Sequence, residues 1–151
     1  MINSKTLCLM WQLIVAEDKN VQLYEHQINA ACEYSTHVIN SSSEFDIDPF
    51  VLSAIVYNES RWTKEVTNKE GACGLAQVVY KYNKPENEHN KKCFKLLDPK
   101  TNLHTAAKII KDNLDVKKNY IKAISCYASG PSCNNKGYAK RILALSKKLK
   151  S

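Results

Sequence analysis

Glycine and proline are scarce in this chain, four of each among 151 residues, and no internal repeat or low-complexity segment interrupts it. Repetitive and linker-rich architectures are excluded, and one compact domain is expected. No apolar run is long enough to cross a bilayer: the longest, Leu7 to Ala16, covers about 10 residues, where a spanning helix needs ~20. There is no CxxC motif and no Cys/His cluster with zinc spacing; His26, His37, His89 and His104 show no ligand pattern. Glu86-Asn87-Glu88-His89 lies in a polar loop and reads as solvated. No metal or other cofactor is expected. Nor are aromatic residues interleaved with basic ones on one face, and no nucleic-acid-binding module is recognisable.

What is present begins with a hydrophobic content of 44%, enough for one proper core. The 22 Lys+Arg outweigh 15 Asp+Glu, giving a formal charge of +7 that suits an anionic partner such as a nucleic acid, an acidic membrane or a bacterial wall. Many lysines fall at helical intervals or in the tail Lys147, Lys148, Lys150, as on a solvated basic face. At the N-terminus Lys5, the apolar run Leu7 to Ala16 and the polar Glu17-Asp18-Lys19-Asn20 follow the order of a secretory signal peptide. Cleavage after Ala16 is imperfect, because Ile14 is larger than the small residue preferred there. The expectation is a signal peptide or an apolar N-terminal arm over residues 1–16 and a domain over residues 17–151.

Six cysteines are many for a reduced cytosolic protein of this size, which favours disulfides and an exported chain. Cys126 and Cys133 flank a Ser-Gly-Pro-Ser turn, and Cys73 and Cys93 bracket a polar loop, so these two pairs are favoured. Cys8 would leave with a signal peptide, and Cys32 would then remain as a buried free thiol.

From Val21 onward Tyr24, Ile28, Ala31, Cys32, Ser35, Val38 and Ile39 recur at helical spacing until Ser41-Ser42-Ser43 breaks the pattern. Asp48-Pro49 reads as an N-cap with proline in the first turn, opening a helix to about Arg61. Residues 63–101 are polar and irregular, with one β-prone run, Val78-Val79-Tyr80; so long a loop in a small domain usually carries a site. Three further helices are marked by Leu103, Ala106, Ala107, Ile110 and Leu114, by Tyr120, Ile121, Ile124 and Tyr127, and by Tyr138, Ile142, Leu145 and Leu149. The sum is a mostly α single domain with a small β region in the middle loop.

In the Asp48-capped helix, Leu52, Ile55, Val56 and Glu59 lie at i, i+3, i+4 and i+7, so a glutamate shares the face of the core residues. Partial desolvation and the negative end of the helix dipole both disfavour its ionised form, as a general acid working near neutral pH requires. A glutamate at a fraying helix end can also escape to solvent. Glycoside cleavage would give it a task, protonating the leaving oxygen as oxocarbenium character builds on the sugar. Glu65, Glu70, Glu86, Glu88 and Asp98 are available as a second carboxylate, but no apolar face marks any of them.

Around Glu59 the chain resembles the lysozyme-like domain of soluble lytic transglycosylases and their phage-encoded and secretion-associated relatives. Glu59-Ser60 is followed by Trp62 and by Gly71-Ala72-Cys73-Gly74-Leu75-Ala76-Gln77, with Gly71 and Gln77 falling 12 and 18 positions beyond the glutamate. Leu97-Asp98-Pro99 with Asn102-Leu103, Cys126-Tyr127-Ala128-Ser129-Gly130, and Gly137-Tyr138 leading to Ile142 continue the likeness over residues 44–146. Each motif alone is weak; their shared order and spacing are specific.

The resemblance implies a lysozyme-like α+β fold, a small β region in residues 71–100, and cleavage of the glycan strands of peptidoglycan. Glu59 would be the single acid/base, and Ser60 would hold the hydrogen bonding at the helix end. Gln77 would sit near the substrate on a cleft wall formed by residues 74–77. Tyr127 and Tyr138 would approach the carboxylate, although their helical spacing also fits core packing. The family's sugar-binding asparagine is Ala128 here, so that side chain is either missing or replaced by Ser129. Ala76 and Asn68 also depart from the family's Met and Ser, which should reshape the cleft. A transglycosylase would leave 1,6-anhydro-muramyl ends and a lysozyme on the same fold would leave reducing ends; a third reading is a catalytically silent wall-binding component of a virion or secretion machine. Asn58-Glu59-Ser60 matches a glycosylation sequon, and a glycan there would block the cleft, which favours a bacterial or phage source.

Overall fold

The computed structural model describes residues 2–83 and 93–151. Six helices dominate them: α1 (Ser4–Glu17), α2 (Glu25–Phe45), α3 (Pro49–Ser60), α4 (Pro99–Lys117), α5 (Tyr120–Ser129) and α6 (Lys136–Lys150). Between α3 and α4, β1 (Ala72–Cys73) pairs antiparallel with β2 (Val78–Val79), Ala72 opposite Val79 and Cys73 opposite Val78. Thr67 adds an isolated bridge to Cys73. The mostly α expectation with a small β region holds.

Every residue from Val51 to Tyr57 is buried, so α3 is the central helix rather than a surface helix with one apolar stripe. Asp48 caps it as its sequence requires, its carboxylate accepting from the Phe50 amide at 2.8 Å. Against α3 pack α6, α2 and α4, each burying one stripe; α4 contributes Leu103, Ala106, Ala107 and Ile110, and α6 contributes Tyr138, Ala139, Ile142 and Leu149.

Two expectations are corrected. The serine triplet does not end α2, which runs on to Phe45 and stops at Asp46 in the left-handed region, φ 52°. Ser41 and Ser42 are buried against the core, where a small side chain fits and tertiary packing outweighs a modest helix propensity. The same helix begins at Glu25 rather than Val21, and Tyr24, outside it, is largely exposed. Secondly, Cys32 is not a free thiol: it is bonded to Cys8 of α1. The Cys73–Cys93 and Cys126–Cys133 pairs stand as expected, and among the described residues no cysteine is free.

The apolar run at the N-terminus is therefore part of a packed helix in this structure. Leu7 and Trp11 are completely buried, and Ile14 nearly so. Trp11 stacks on Tyr57 with ring centroids 5.5 Å apart and meets Trp62 edge-on at 5.6 Å. Its place is thus against the end of α3. Among the described residues no helix is long and apolar enough to cross a membrane.

Candidate active site

Glu59 sits in the last turn of α3, half-buried, where the chain is about to reverse. Ser60 donates to the Val56 carbonyl at 3.3 Å, and Arg61 and Trp62 then adopt successive left-handed conformations, φ 51° and 64°. Such conformations are costly for bulky residues and persist only where the surroundings fix them. Here Trp62 is fixed by burial, with 1% of its surface exposed.

The Tyr138 hydroxyl, from α6, donates to Glu59 Oε2 at 2.9 Å. Burial pushes the Glu59 carboxyl above its ordinary pKa, and the Tyr138 hydrogen bond, which favours the carboxylate, offsets part of that rise. Burial and the nearby Glu59 charge raise the Tyr127 hydroxyl well above its ordinary range, and they do the same for Tyr138. Both phenols therefore stay protonated and act as hydrogen-bond donors. The Tyr127 hydroxyl donates a hydrogen bond to the Ala76 carbonyl at 2.6 Å, tying α5 to the loop before β2.

That loop is fixed from within. Gln77 donates through Nε2 to the carbonyls of Val66 and Gly74, at 2.8 and 2.9 Å, so only its Oε1 is left to meet a substrate. Asn68 accepts from the Ala72 amide at 2.9 Å, closing the turn below β1. Ala76, which replaces the family's Met, is completely buried. Ser129 donates to Ser125 O at 2.8 Å and accepts from the Asn134 amide at 3.0 Å, so its hydroxyl serves the turn after α5. Ala128 is exposed.

Asn102 is the residue that sequence reasoning underused. Completely buried, it donates to Cys73 O and Leu96 O, both at 2.7 Å, and accepts from the Ala76 amide at 2.8 Å. Gly74 permits this approach: at φ 72°, a Cβ there would lie 2.6 Å from both Asn102 Nδ2 and Leu96 O. The signal was available, since Asn102 shares a helix face with Ala106 and Ile110 and a polar residue on such a face needs partners. Asn102→Leu should strand one amide and two carbonyls in the core at about 1–3 kcal/mol each. Thermal unfolding should show a Tm lower by roughly 10 °C; an unchanged Tm would show that the loop does not depend on this hub.

Of the proposed second carboxylates, Glu65 and Glu70 are exposed, and Asp98 caps α4 through the Thr101 amide at 3.0 Å. Glu86 and Glu88, like His89, lie outside the described residues. His104 pairs with Glu44 at 3.0 Å. A concavity of about 720 Å³ is lined by Val15, Lys19, Gln22, Tyr24 and Arg61 among others. It does not hold the acid: Arg61 stacks on Tyr57 at 3.9 Å, and Tyr57 and Glu59, two residues apart, point about 200° apart around the helix.

Gathered at one place are a desolvated carboxyl, two protonated phenols and a braced loop contributed by α3, α5, α6 and the β region. Burial keeps the proton on such a carboxyl to higher pH than on a free one, so it can give a proton and take one back. No solved structure matches the chain. The model of the transglycosylase SLT domain matches residues 37–147, which include Glu59, the 71–77 loop, Asn102 and both tyrosines. The chain therefore belongs to the transglycosylase SLT domain family, whose activity is lytic transglycosylation of peptidoglycan.

Proposed function

We propose that the protein cleaves the β-1,4 bond between MurNAc and GlcNAc in peptidoglycan as a lytic transglycosylase, with Glu59 as its only acid/base. The supporting observation is the half-buried Glu59 carboxyl, raised in pKa by burial and held by Tyr138. Protonated Glu59 would give its proton to the glycosidic oxygen as the C1–O bond breaks and positive charge builds on the muramyl ring. The carboxylate left behind would then take the proton of the muramyl C6 hydroxyl as that oxygen bonds to C1, closing a 1,6-anhydro ring. One group serves both steps, so no second carboxylate is needed to activate water. Gln77 Oε1 and the protonated phenols supply polar contacts at the cleft, and Ser60 and Ser129 support its edges.

The three disulfides suit an oxidising compartment, so the protein would act outside the cytoplasm, in the periplasm or beyond, or on a virion if phage-encoded. It would work as a monomer without cofactor, alone or within a virion or secretion machine. Residues 1–16 would stay with the domain as an N-terminal arm, a reading supported by the burial of Leu7 and Trp11 and the Cys8–Cys32 bond. Mass spectrometry of muropeptides released from purified wall should show anhydro ends. Reducing ends would make the protein a lysozyme instead, and no release at all would leave the wall-binding reading suggested by Ala76 and Ala128.

A further inference from the structure

The positive charge of this chain is not spread evenly. Residues 116–151 contain nine lysines and arginines and no aspartate or glutamate, whereas residues 1–115 hold 15 acids against 13 bases. That acid-free stretch is the α5–α6 hairpin with the end of α4, and all nine cations are exposed. Two are engaged across the molecule: Lys148 with Asp18 at 2.9 Å, and Lys150 with Asp48. Among the described residues no ion pair engages Lys136, Lys140 or Arg141, which lie on the first turns of α6 around Tyr138.

A row of lysines on a helix is ordinarily a solvated face, with its own counter-charges nearby. The acids of α4 show that pattern, Asp112 facing Lys108 and Asp115 facing Lys111 at 3.3 Å each. The hairpin lacks it, and one of its cations lies beside the proposed site. Arg141 lies 6.0 Å from the centroid of the Tyr138 ring, the ring whose hydroxyl holds Glu59. Unneutralised cations of one sign at a cleft raise the local concentration of an anionic polymer and orient it.

We propose that Lys136, Lys140 and Arg141 form a docking surface for the carboxylates of the peptide stems carried by the glycan strand, holding the strand beside Glu59. This rests on the peptidoglycan reading and names which part of that polymer the rim of the site recognises. Stem peptides hang from the muramyl residues, so a strand laid in the cleft brings carboxylates to its rim. A planar guanidinium suits carboxylates by paired hydrogen bonds, and lysines add charge without geometric demand.

The test measures binding alone, so it does not depend on cleavage. Sedimentation of the Glu59→Gln protein with purified sacculi is compared with the same protein carrying Lys136→Glu, Lys140→Glu and Arg141→Glu, and with one carrying Lys5→Glu, Lys64→Glu and Lys100→Glu. Both triples change net charge equally, at exposed positions. At low salt the α6 triple should bind at least tenfold more weakly and the control triple within about threefold of the parent, with the difference shrinking as salt screens it. A milder Lys136→Gln, Lys140→Gln, Arg141→Gln protein should fall between. Sacculi whose carboxylates are converted to amides should abolish the difference. Equal weakening by both triples would overturn the proposal in favour of net charge alone. A difference that survives amidation but vanishes on sacculi stripped of phosphate polymers would overturn it in favour of a phosphodiester partner. Failure of Glu59→Gln to abolish lysis would instead strike the catalytic reading, and the binding result would stand apart from it.

Discussion

Glu59→Gln should lower the rate of wall lysis by about 10³-fold or more, because a positioned acid/base contributes roughly 10²–10⁴ and here one group would serve both proton transfers. Binding to sacculi should persist, since glutamine keeps the shape and can still accept from Tyr138. The same substitution should raise stability at neutral pH. The folded-state pKa of Glu59 lies above its unfolded value because burial penalises the charge, so the folded protein binds this proton more tightly than the unfolded chain. Stability from this group is therefore greatest at low pH and is lost as pH rises from the unfolded to the folded pKa. Glutamine, uncharged throughout, escapes the loss, a common trade between active-site chemistry and stability. In the parent the lytic rate should fall as pH rises through the folded pKa. Tyr138→Phe, which removes the hydrogen bond favouring the carboxylate, should move that limb to higher pH. Lysis of wall by Glu59→Gln at the parental rate would end the catalytic assignment. A higher parental Tm than that of Glu59→Gln at neutral pH would contradict the burial account.

The second large effect concerns α1. Trp11→Ala should cost about 4 kcal/mol, as for other fully buried tryptophans, lowering Tm by roughly 10 °C. The loss would fall on Tyr57 and Trp62, the rings Trp11 contacts on either side of Glu59 in sequence. Trp11→Phe should be far milder, because the indole N–H of Trp11 is buried without a partner and its removal costs nothing. A chain beginning at Glu17 should lose more. Leu7 and Ile14 contribute about 2 kcal/mol each by burial beside the ~4 kcal/mol of Trp11, and the Cys8–Cys32 bond, joining residues 24 positions apart, is worth about 3 kcal/mol. Those contributions approach the whole stability of an ordinary domain. Circular dichroism should find the shortened chain unfolded or melting far below the parent. A shortened chain that melts with the parent would return residues 1–16 to the signal-peptide reading.

The ambiguity over that segment has a physical origin: an apolar run of about ten residues looks the same whether an export machinery reads it or Tyr57 and Trp62 bury it. Local rules sufficed where local chemistry decides. Asp48-Pro49 starts α3 because a cap and a fixed φ act within one turn, and Cys126–Cys133 closes across a short turn. The serines of α2 misled because burial, a tertiary property, overrode their propensity. Cys8 found Cys32 only because α1 packs on α2. At the site, the sequence by itself determined that a glutamate stood among core residues at the end of a helix, with glycines, a glutamine and tyrosines at the family's intervals. Only the tertiary structure decided what those residues do to one another. Tyr138 reaches Glu59 across 79 positions, Tyr127 reaches Ala76 across 51, and Asn102 joins three backbone groups of the loop. Hydrogen bonds over such separations, and the desolvation that raises the Glu59 pKa, exist only once the helices have packed.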